Sequence, residues 1–191
     1  FIQAGDITQD AEDNFYGSEV AVNAETRGVD TKQGTVDVIA SKAEQNQNGI
    51  NQIYGAVTSV DNGAVNIDGR INYIGSSYQV TTEVNPSDPD KTDSIVSAVY
   101  TDDGGMVNIN GTQNTVRTSV ADNQKERVIW AQSGTVNING LTNIIAQNGA
   151  TNEANQVGVA LAAGASYADG TEETRAAAPG VINAELESGS Y

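Results

Sequence analysis

Carboxylates are the side chains with which this chain could do chemistry, because it contains neither histidine nor cysteine. The common nucleophilic triads need a histidine base, so they are excluded. The absence of cysteine excludes a disulfide scaffold and a thiolate metal site. Two kinds of site then depend on aspartate and glutamate: a calcium site, and a carboxylate pair that cleaves glycosidic bonds.

A short acidic segment carries the motif closest to a calcium loop. Asp88, Asp90 and Asp93 lie within the segment 88–93, and hard oxygen ligands at alternating positions are what Ca²⁺ loops use. Lys91 interrupts them, no glycine makes the tight turn, and the EF-hand and GGxGxDxxx signatures are missing. The sequence therefore predicts a solvated acidic loop and no cofactor, with Ca²⁺ at these three aspartates as the weaker alternative.

The pair Asp102-Asp103 is the motif closest to a glycosidase site, and it adjoins Gly104-Gly105 at an expected corner. A glycosidase needs two carboxyl groups at a defined separation and with different pKa values, whereas side chains adjacent at a corner diverge into solvent. No acidic position recurs in register across the three strong repeats. The sequence therefore predicts no catalytic residue, and a protein that is not an enzyme.

An internal repeat predicts the strands that would position the side chains of any site. Gly, Val, Asn, Ile, Gly and Asn recur at fixed places in three segments, GAVNIDGRINYI (63–74), GMVNINGTQNTV (105–116) and GTVNINGLTNII (134–145). We call these the repeat segments. Looser relatives lie at 34–38 and 180–184. A long internal repeat indicates an array of stacked units.

Each repeat segment predicts a strand, a corner and a second strand. Apolar residues alternate with asparagine in Val65-Asn66-Ile67 and its equivalents, which is the pattern of a strand with one buried face. The Asp-Gly or Asn-Gly dipeptide that follows predicts a turn with positive φ. Asn72, Asn114 and Asn143 are predicted to take the left-handed conformation at a corner and to hydrogen-bond to the amides of neighbouring units.

A third apolar stretch precedes each recurrence, at 20–22, 53–57, 95–99, 128–131 and 157–161. Three short strands per unit, with equivalent strands pairing in parallel, predict an all-β, right-handed parallel β-helix of about five to six coils. Its expected core consists of Val65, Ile67, Ile74, Val107, Ile109, Val116, Val136, Ile138 and Ile145. A β-hairpin sandwich is the rival fold, but it gives no reason for one segment to recur.

The intervals between the repeat segments differ in length, so the extra residues are expected in loops. These loops are expected at 76–93, 119–126, 148–155 and 165–180. The first three fall at the same corner of successive units, and insertions on one side of a solenoid often bind partners. Exposed tyrosines are common interface anchors, although a ring can instead pack on its own coil, and Trp130 is expected in the core. The candidate ligand-binding residues are therefore Tyr78, Asp88, Asp90, Asp93 and Tyr167.

Charge and composition narrow the class of protein. The net charge of −16 argues against nucleic acid or an anionic membrane as a partner, because both would be repelled. No apolar run is long enough to span a bilayer as a helix. The chain opens on Phe1 without a visible signal peptide, and the first and last units are expected to be cut. We expect a single β-helix domain over 1–191, either a mature protein or a piece of a longer one.

The repeat segments GTVNINGLTNII and GMVNINGTQNTV, with their irregular insertions and the lack of cysteine, resemble the passenger region of bacterial autotransporter adhesins, which use type V secretion. The resemblance covers 34–184 and rests on repeat character. It implies a right-handed parallel β-helix at the cell surface, exported across the outer membrane, with virulence-related adhesion, self-association or biofilm formation as its role. Host-surface or bacterial-surface proteins and glycans are the implied partners.

We therefore expect a non-enzymatic adhesin segment that binds through loops on one side of the β-helix. Two alternatives stay open. One is a polysaccharide-binding or polysaccharide-cleaving β-helix of the lyase or tailspike type, which predicts a groove with acids and an arginine in register. The other is a passive structural stalk that holds a distal head away from the membrane.

Overall fold

The structure of the chain, a computed structural model, describes residues 8–9, 13–17, 19–32, 34–40, 49–85, 88–119, 124–148, 158–164 and 180–186. These residues form strands and no helix, so none of them belongs to a helix that could cross a membrane. The strands are β1 Thr8–Gln9, β2 Asp13–Gly17, β3 Glu19–Lys32, β4 Thr35–Ala40, β5 Ile50–Val60, β6 Ala64–Asp68, β7 Ile71–Ser76, β8 Gln79–Asn85, β9 Asp88–Val96, β10 Val99–Thr101, β11 Met106–Asn110, β12 Gln113–Ser119, β13 Gln124–Ala131, β14 Thr135–Gly140, β15 Thr142–Asn148, β16 Gly158–Ala163 and β17 Val181–Leu186. The all-β class predicted from the sequence is confirmed.

The smaller sheet collects the first strand of every repeat segment. Its order is β17-β14-β11-β6-β4-β2, and every neighbouring pair is parallel. Asn66 pairs with Asn108 across 42 residues of sequence, and Asn108 pairs with Asn137 across 29. The looser relatives join in the same register, because Val36 pairs with Val65 and Ile182 with Val136. The predicted parallel pairing of equivalent strands is confirmed.

The larger sheet collects the second and third strands. Its main order is β15-β12-β7-β5-β10-β13-β9-β8, with β1, β3 and β16 attached beside it. The pairing is parallel except between β8 and β9, which is antiparallel. Each repeat segment begins with a strand of the smaller sheet and continues with a strand of the larger sheet. Strand β6 is followed by β7, β11 by β12 and β14 by β15.

The apolar residues of the repeat segments lie in the core, as predicted, together with apolar residues of the third strands such as Val57, Val99 and Ile129. Val65, Ile67, Val107, Ile109, Val136 and Ile138 of the smaller sheet are fully buried, and so is Ile74 of the larger sheet. Val116 is 1% exposed, whereas Ile145 is only partly buried and packs against the same cluster. Alternate residues of a strand face opposite sides, so burial of these valines and isoleucines turns the intervening asparagines outward.

The third strands lie partly elsewhere than predicted. Val20-Ala21-Val22 pairs with 51–53, and 51–53 pairs with 72–74, so both segments belong with the second strands. The third strands instead share a register column of Val29, Val57, Val99, Ile129 and Leu161. In this unit no insertion separates the second strand from the third, so the two form the single strand β5, which pairs with β7 at one end and with β10 at the other. Hydrophobic runs alone cannot mark where such a continuous strand changes its partner.

The expected loop at 76–93 is a β-hairpin. Strands β8 and β9 pair antiparallel, with Thr82 opposite Ser94 and Glu83 opposite Asp93. The end of β9 joins β13 through the pairs Ser94 with Gln124 and Ile95 with Lys125, so 124–126 of the expected loop 119–126 is also strand. Most of the expected loop 148–155 and all but the last residue of 165–180 lie outside the described residues.

The corner glycines serve close approach rather than a left-handed turn. Among the described glycines only Gly55, Gly104 and Gly164 have positive φ, so the prediction of positive φ at Gly69, Gly111 and Gly140 was wrong. A Cβ at Gly111 would overlap the main-chain oxygen of Gly69 and lie 2.5 Å from Asn72 Nδ2. A Cβ at Gly140 would meet Gly111 in the same way. Neighbouring repeat segments therefore pack too closely here for any side chain.

Candidate functional site

The outward face of the smaller sheet carries a row of polar side chains in register. We call this the central row, and it consists of Asp37, Asn66, Asn108, Asn137 and Asn183. Each asparagine donates from Nδ2 to the side-chain oxygen of its neighbour, at 2.6 Å for Asn66 to Asp37 and 2.7 Å for Asn108 to Asn66. The series continues through Asn137 to Asn183, at 2.7 and 2.8 Å. The row is one continuous chain of hydrogen bonds across five strands.

A second row lies two residues further along the same strands. It consists of Asp68, Asn110, Asn139 and Glu185, and Asn139 Nδ2 donates to Asn110 Oδ1 at 2.8 Å. The two rows together line a shallow groove of about 440 Å³, which we call the amide groove. Nine polar side chains gather at this one surface depression, so we take the amide groove as the candidate site.

The charge of the amide groove is purely acidic. Three carboxylates, Asp37, Asp68 and Glu185, stand among its six asparagines, and no lysine or arginine lines it. Asp37 and Asp68 lie on the neighbouring strands β4 and β6 at one end of the amide groove, and Glu185 lies on β17 at its other end. With a net charge of −16 on the whole chain, the groove disfavours anionic ligands.

A buried ladder of amides runs along the larger sheet. Asn51, Asn72, Asn114 and Asn143 stack in register, with Nδ2 to Oδ1 distances of 2.8, 2.7 and 2.8 Å in that order. Asn114 also donates to the main-chain oxygen of Asn139 at 2.9 Å, and Asn72 to that of Asn110 at 2.8 Å. The predicted amide bonds between units are confirmed. The predicted left-handed conformation was wrong, because these asparagines lie inside strands and none has positive φ.

The acidic pair Asp102-Asp103, at the corner after β10, forms hydrogen bonds with neighbouring residues. The Tyr100 hydroxyl donates to Asp102 Oδ2 at 3.0 Å, and Ser133 Oγ donates to Asp102 Oδ1. The main-chain N–H of Asp103 donates to Ser133 Oγ at 2.7 Å, and Asp103 is exposed with φ of 48°. Burial, together with the nearby charge of Asp102 and the hydrogen bond to it, raises the pKa of Tyr100 above its ordinary value. Asp102 therefore accepts hydrogen bonds from Tyr100, from Ser133 and from the main-chain N–H of Asp103.

Trp130 packs in the interior, as predicted. Its ring is 1% exposed, its centroid lies 5.2 Å from that of Tyr100, and its Nε1 donates to the main-chain oxygen of Gly164 at 3.0 Å. The guanidinium carbon of Arg127 lies 4.1 Å from the ring centroid, in cation–π contact. Trp130 offers no exposed ring surface for a ligand.

The structure describes the side chains of two of the candidate residues named from the sequence, Tyr78 and Asp90. Tyr78 is half-buried, and its main-chain N–H donates to Ser76 Oγ at 2.9 Å. Asp90 is exposed on β9. Asp88 and Asp93 belong to the same strand, but their side chains lie outside the described residues, as does all of Tyr167. Within the described side chains, no group of three or more acidic residues is placed to hold a metal ion.

Comparison with known proteins adds no relative. The sequence matches no protein-family model, and no curated protein and no solved structure is significantly similar to it.

The amide groove was missed because its residues were interpreted only as the wet side of a strand. The signal was present in the sequence: Asn66, Asn108 and Asn137 recur at one outward position of the three repeat segments. A position that faces solvent needs no particular residue for packing. Recurrence of one residue type there indicates either side-chain stacking between units or contact with a ligand.

Proposed function

We propose that the two sheets are faces of one right-handed parallel β-helix with three strands per coil. The support is cyclic order: a strand of the smaller sheet is followed by a second and a third strand in the larger sheet before the chain returns to the smaller one. Equivalent strands of successive units pair in parallel and in register. Parallel crossover connections are nearly always right-handed, which gives the hand.

On this scaffold we propose a non-enzymatic adhesin segment, presented at the cell surface, that binds a protein or glycan of another cell. The observation that carries this proposal is the hairpin of β8 and β9. It is inserted between β7 and β10, yet β7 keeps its register with β12, and β10 keeps its register with β5 and β13. Stacking thus tolerates long side insertions, and solenoids commonly use such insertions for recognition.

The type of adhesin follows from the resemblance of the repeat segments to autotransporter passengers. Such a passenger would be exported across the outer membrane, and attachment, self-association or biofilm formation would be its role. The lack of cysteine is consistent with export of an unfolded chain. The buried ladder, the close glycines and the apolar core explain by stacking the recurring Val, Ile, second Gly and second Asn of each repeat segment, and we place the cell partner on the variable side surface.

The test removes the tip of the hairpin from the full chain. Replacing 83–93 by Asn-Gly keeps the pair of Thr82 and Ser94 as the flanks of a two-residue turn. It also keeps Val80, which packs against the cluster of Ile95, Tyr100 and Trp130. We expect an unchanged melting temperature and a loss of binding to cells of about tenfold or more.

The matched control is the double variant Gln113→Ala/Arg117→Ala, which removes exposed polar side chains from β12 without touching the hairpin. It should bind cells like the parent chain. Binding by the hairpin variant equal to that of the control would show that the hairpin is not the contact surface. Release of reducing sugars from glycans by the parent chain would contradict the non-enzymatic proposal.

A further inference from the structure

The asparagines of the amide groove retain hydrogen-bonding capacity after their ladders are formed. A side-chain amide has two N–H donors and two acceptor lone pairs. Asn66 and Asn137 each donate one N–H to a neighbour and accept one hydrogen bond. Asn108 does the same, and its Nδ2 additionally lies 3.5 Å from Met106 Sδ. Each strand therefore presents at least one acceptor, and most strands one donor, toward the groove.

These groups are held in place before any ligand arrives. Asn66, Asn108 and Asn137 are each bonded to both neighbours in the central row at 2.6–2.8 Å, and the strands below are fixed by parallel pairing. Side chains that are already ordered lose little conformational entropy on binding. The amide groove is thus a preorganised array of alternating donors and acceptors with a period of about 4.8 Å, the spacing of paired strands.

The chemistry of the lining selects the ligand class. Three carboxylates and no cation disfavour polyanions. Amides that offer both a donor and an acceptor suit hydroxyl groups, which also do both. Repetition along the stack favours a polymer with a hydroxyl-bearing unit at each step over a compact molecule. We propose that the amide groove binds a linear, uncharged polysaccharide that runs across the strands.

This inference goes beyond the proposed function, because it gives the smaller sheet a ligand of its own, apart from the hairpin of β8 and β9, and its test is separate. Titration calorimetry of the full chain would use cellohexaose, an extended neutral glucose hexamer, and hexagalacturonate, an anionic hexamer. We expect heat of binding with cellohexaose and none with hexagalacturonate. The lining contains no aromatic ring for a sugar to stack on, so the affinity should be modest and should increase with chain length.

The decisive variant is Asn110→Ala/Asn139→Ala. It removes two groove amides and the one hydrogen bond between them, while the main-chain oxygens of both residues still accept from the buried ladder. We expect about tenfold weaker binding of cellohexaose with the melting temperature nearly unchanged. The control Gln113→Ala/Thr142→Ala changes an exposed pair on the same two units in the larger sheet and should bind like the parent chain.

Three outcomes would overturn the proposal: no heat with cellohexaose, equal heat with hexagalacturonate, or equal binding by the groove variant and its control. A change in oligomeric state of the groove variant, without any sugar binding by the parent chain, would identify the groove as a self-association surface instead. Unchanged cell binding by the hairpin variant would contradict the adhesin proposal, whereas binding of cellohexaose to the groove would be unaffected. The two proposals can therefore fail independently.

Discussion

At the residue scale, asparagine has two roles in this chain, and burial separates them. Asn51, Asn72 and Asn114 are buried, and their amides bond both to one another and to main-chain oxygens of the corner. The central row is half-buried or exposed, and most of its amides bond only to one another. A buried polar group without a partner is costly, whereas a surface group can bond to water instead. The buried ladder should therefore contribute more to stability than the central row.

Replacing Asn114 by alanine tests the buried ladder. The change removes the bonds to Asn72, Asn143 and the main-chain oxygen of Asn139. We expect a loss of about 2–3 kcal/mol in the free energy of unfolding, since partners on both sides lose a buried bond. Urea denaturation measures this. Asn137→Ala, in the half-exposed central row, is the matched control and should lose under about 1 kcal/mol; equal losses would contradict the separation of roles.

Replacing Gly111 by alanine tests the close approach of neighbouring units. The added Cβ would overlap the Gly69 main-chain oxygen, which cannot move without shifting the neighbouring segment. We expect destabilisation of about 3 kcal/mol. At Gly75 the added Cβ would meet the end of the Tyr73 ring at 2.9 Å, which a rotamer change relieves. Thermal unfolding of Gly75→Ala should therefore resemble that of the parent chain, and a similar drop in both variants would refute the explanation.

The sequence allowed the buried ladder to be predicted in part. Asn72, Asn114 and Asn143 occupy one position of the repeat segments, so stacking in register made their amides neighbours. Asn51 was not predicted, although Ile50-Asn51-Gln52-Ile53 matches Ile71-Asn72-Tyr73-Ile74, because no Val-Asn-Ile strand precedes it at the spacing of a repeat segment. The corner glycines were assigned to positive φ because Asn-Gly usually makes such turns. Close packing between units is a tertiary effect that a single segment does not reveal.

At the element scale, the base of the hairpin of β8 and β9 is attached to the larger sheet through the pairing of β9 with β13. Val80 packs against Ile95, Tyr100 and Trp130, a cluster separate from the main core. The fully buried Ile95 thus belongs to an insertion that the sequence placed partly in a loop. Antiparallel pairing within the insertion was not predicted, because its residues share no period with the repeat segments. The position of the insertion was predictable from the unequal intervals, but its structure was not.

The Tyr100 hydroxyl in this cluster predicts an alkaline limit to stability. Burial and Asp102 raise its pKa in the folded state, so the folded chain holds the proton more tightly than the unfolded chain. The stabilisation is full below about pH 10, the ordinary tyrosine pKa, and is lost as the pH rises through the higher folded-state value. Urea midpoints should fall between about pH 9 and about pH 11 in the parent chain, and less so in Tyr100→Phe.

Tyr54→Phe is the control for this titration, because Tyr54 is 43% exposed. Its alkaline slope should match that of the parent chain. A Tyr100→Phe variant with the parent's slope would show that another group causes the loss. A second readout is phenolate absorbance, in which one of the seven tyrosines should titrate only as the chain unfolds.

At the scale of the whole molecule, repeat segments that are unequally spaced in the sequence lie at equal spacing in the stack of strands. The repeat segments begin 42 and 29 residues apart, yet their strands are immediate neighbours with identical register. The hairpin insertion adds β8 and β9 to the edge of the larger sheet, yet the register of β7 with β12 and of β10 with β5 and β13 is kept. The parallel stack was predictable from recurrence alone. The amide groove emerges only when five strands lie side by side.

The most direct test of this account is the distance across the smaller sheet, measured by pulsed electron paramagnetic resonance. The chain has no cysteine, so spin labels can be placed specifically at Asp37→Cys and Asn183→Cys. These positions are four strand steps apart, and parallel stacking in register predicts one narrow peak near roughly 19 Å, broadened by the label linkers. A broad distribution, or a peak displaced by more than the linkers and one strand spacing together, would contradict the stacked arrangement on which every proposal above depends.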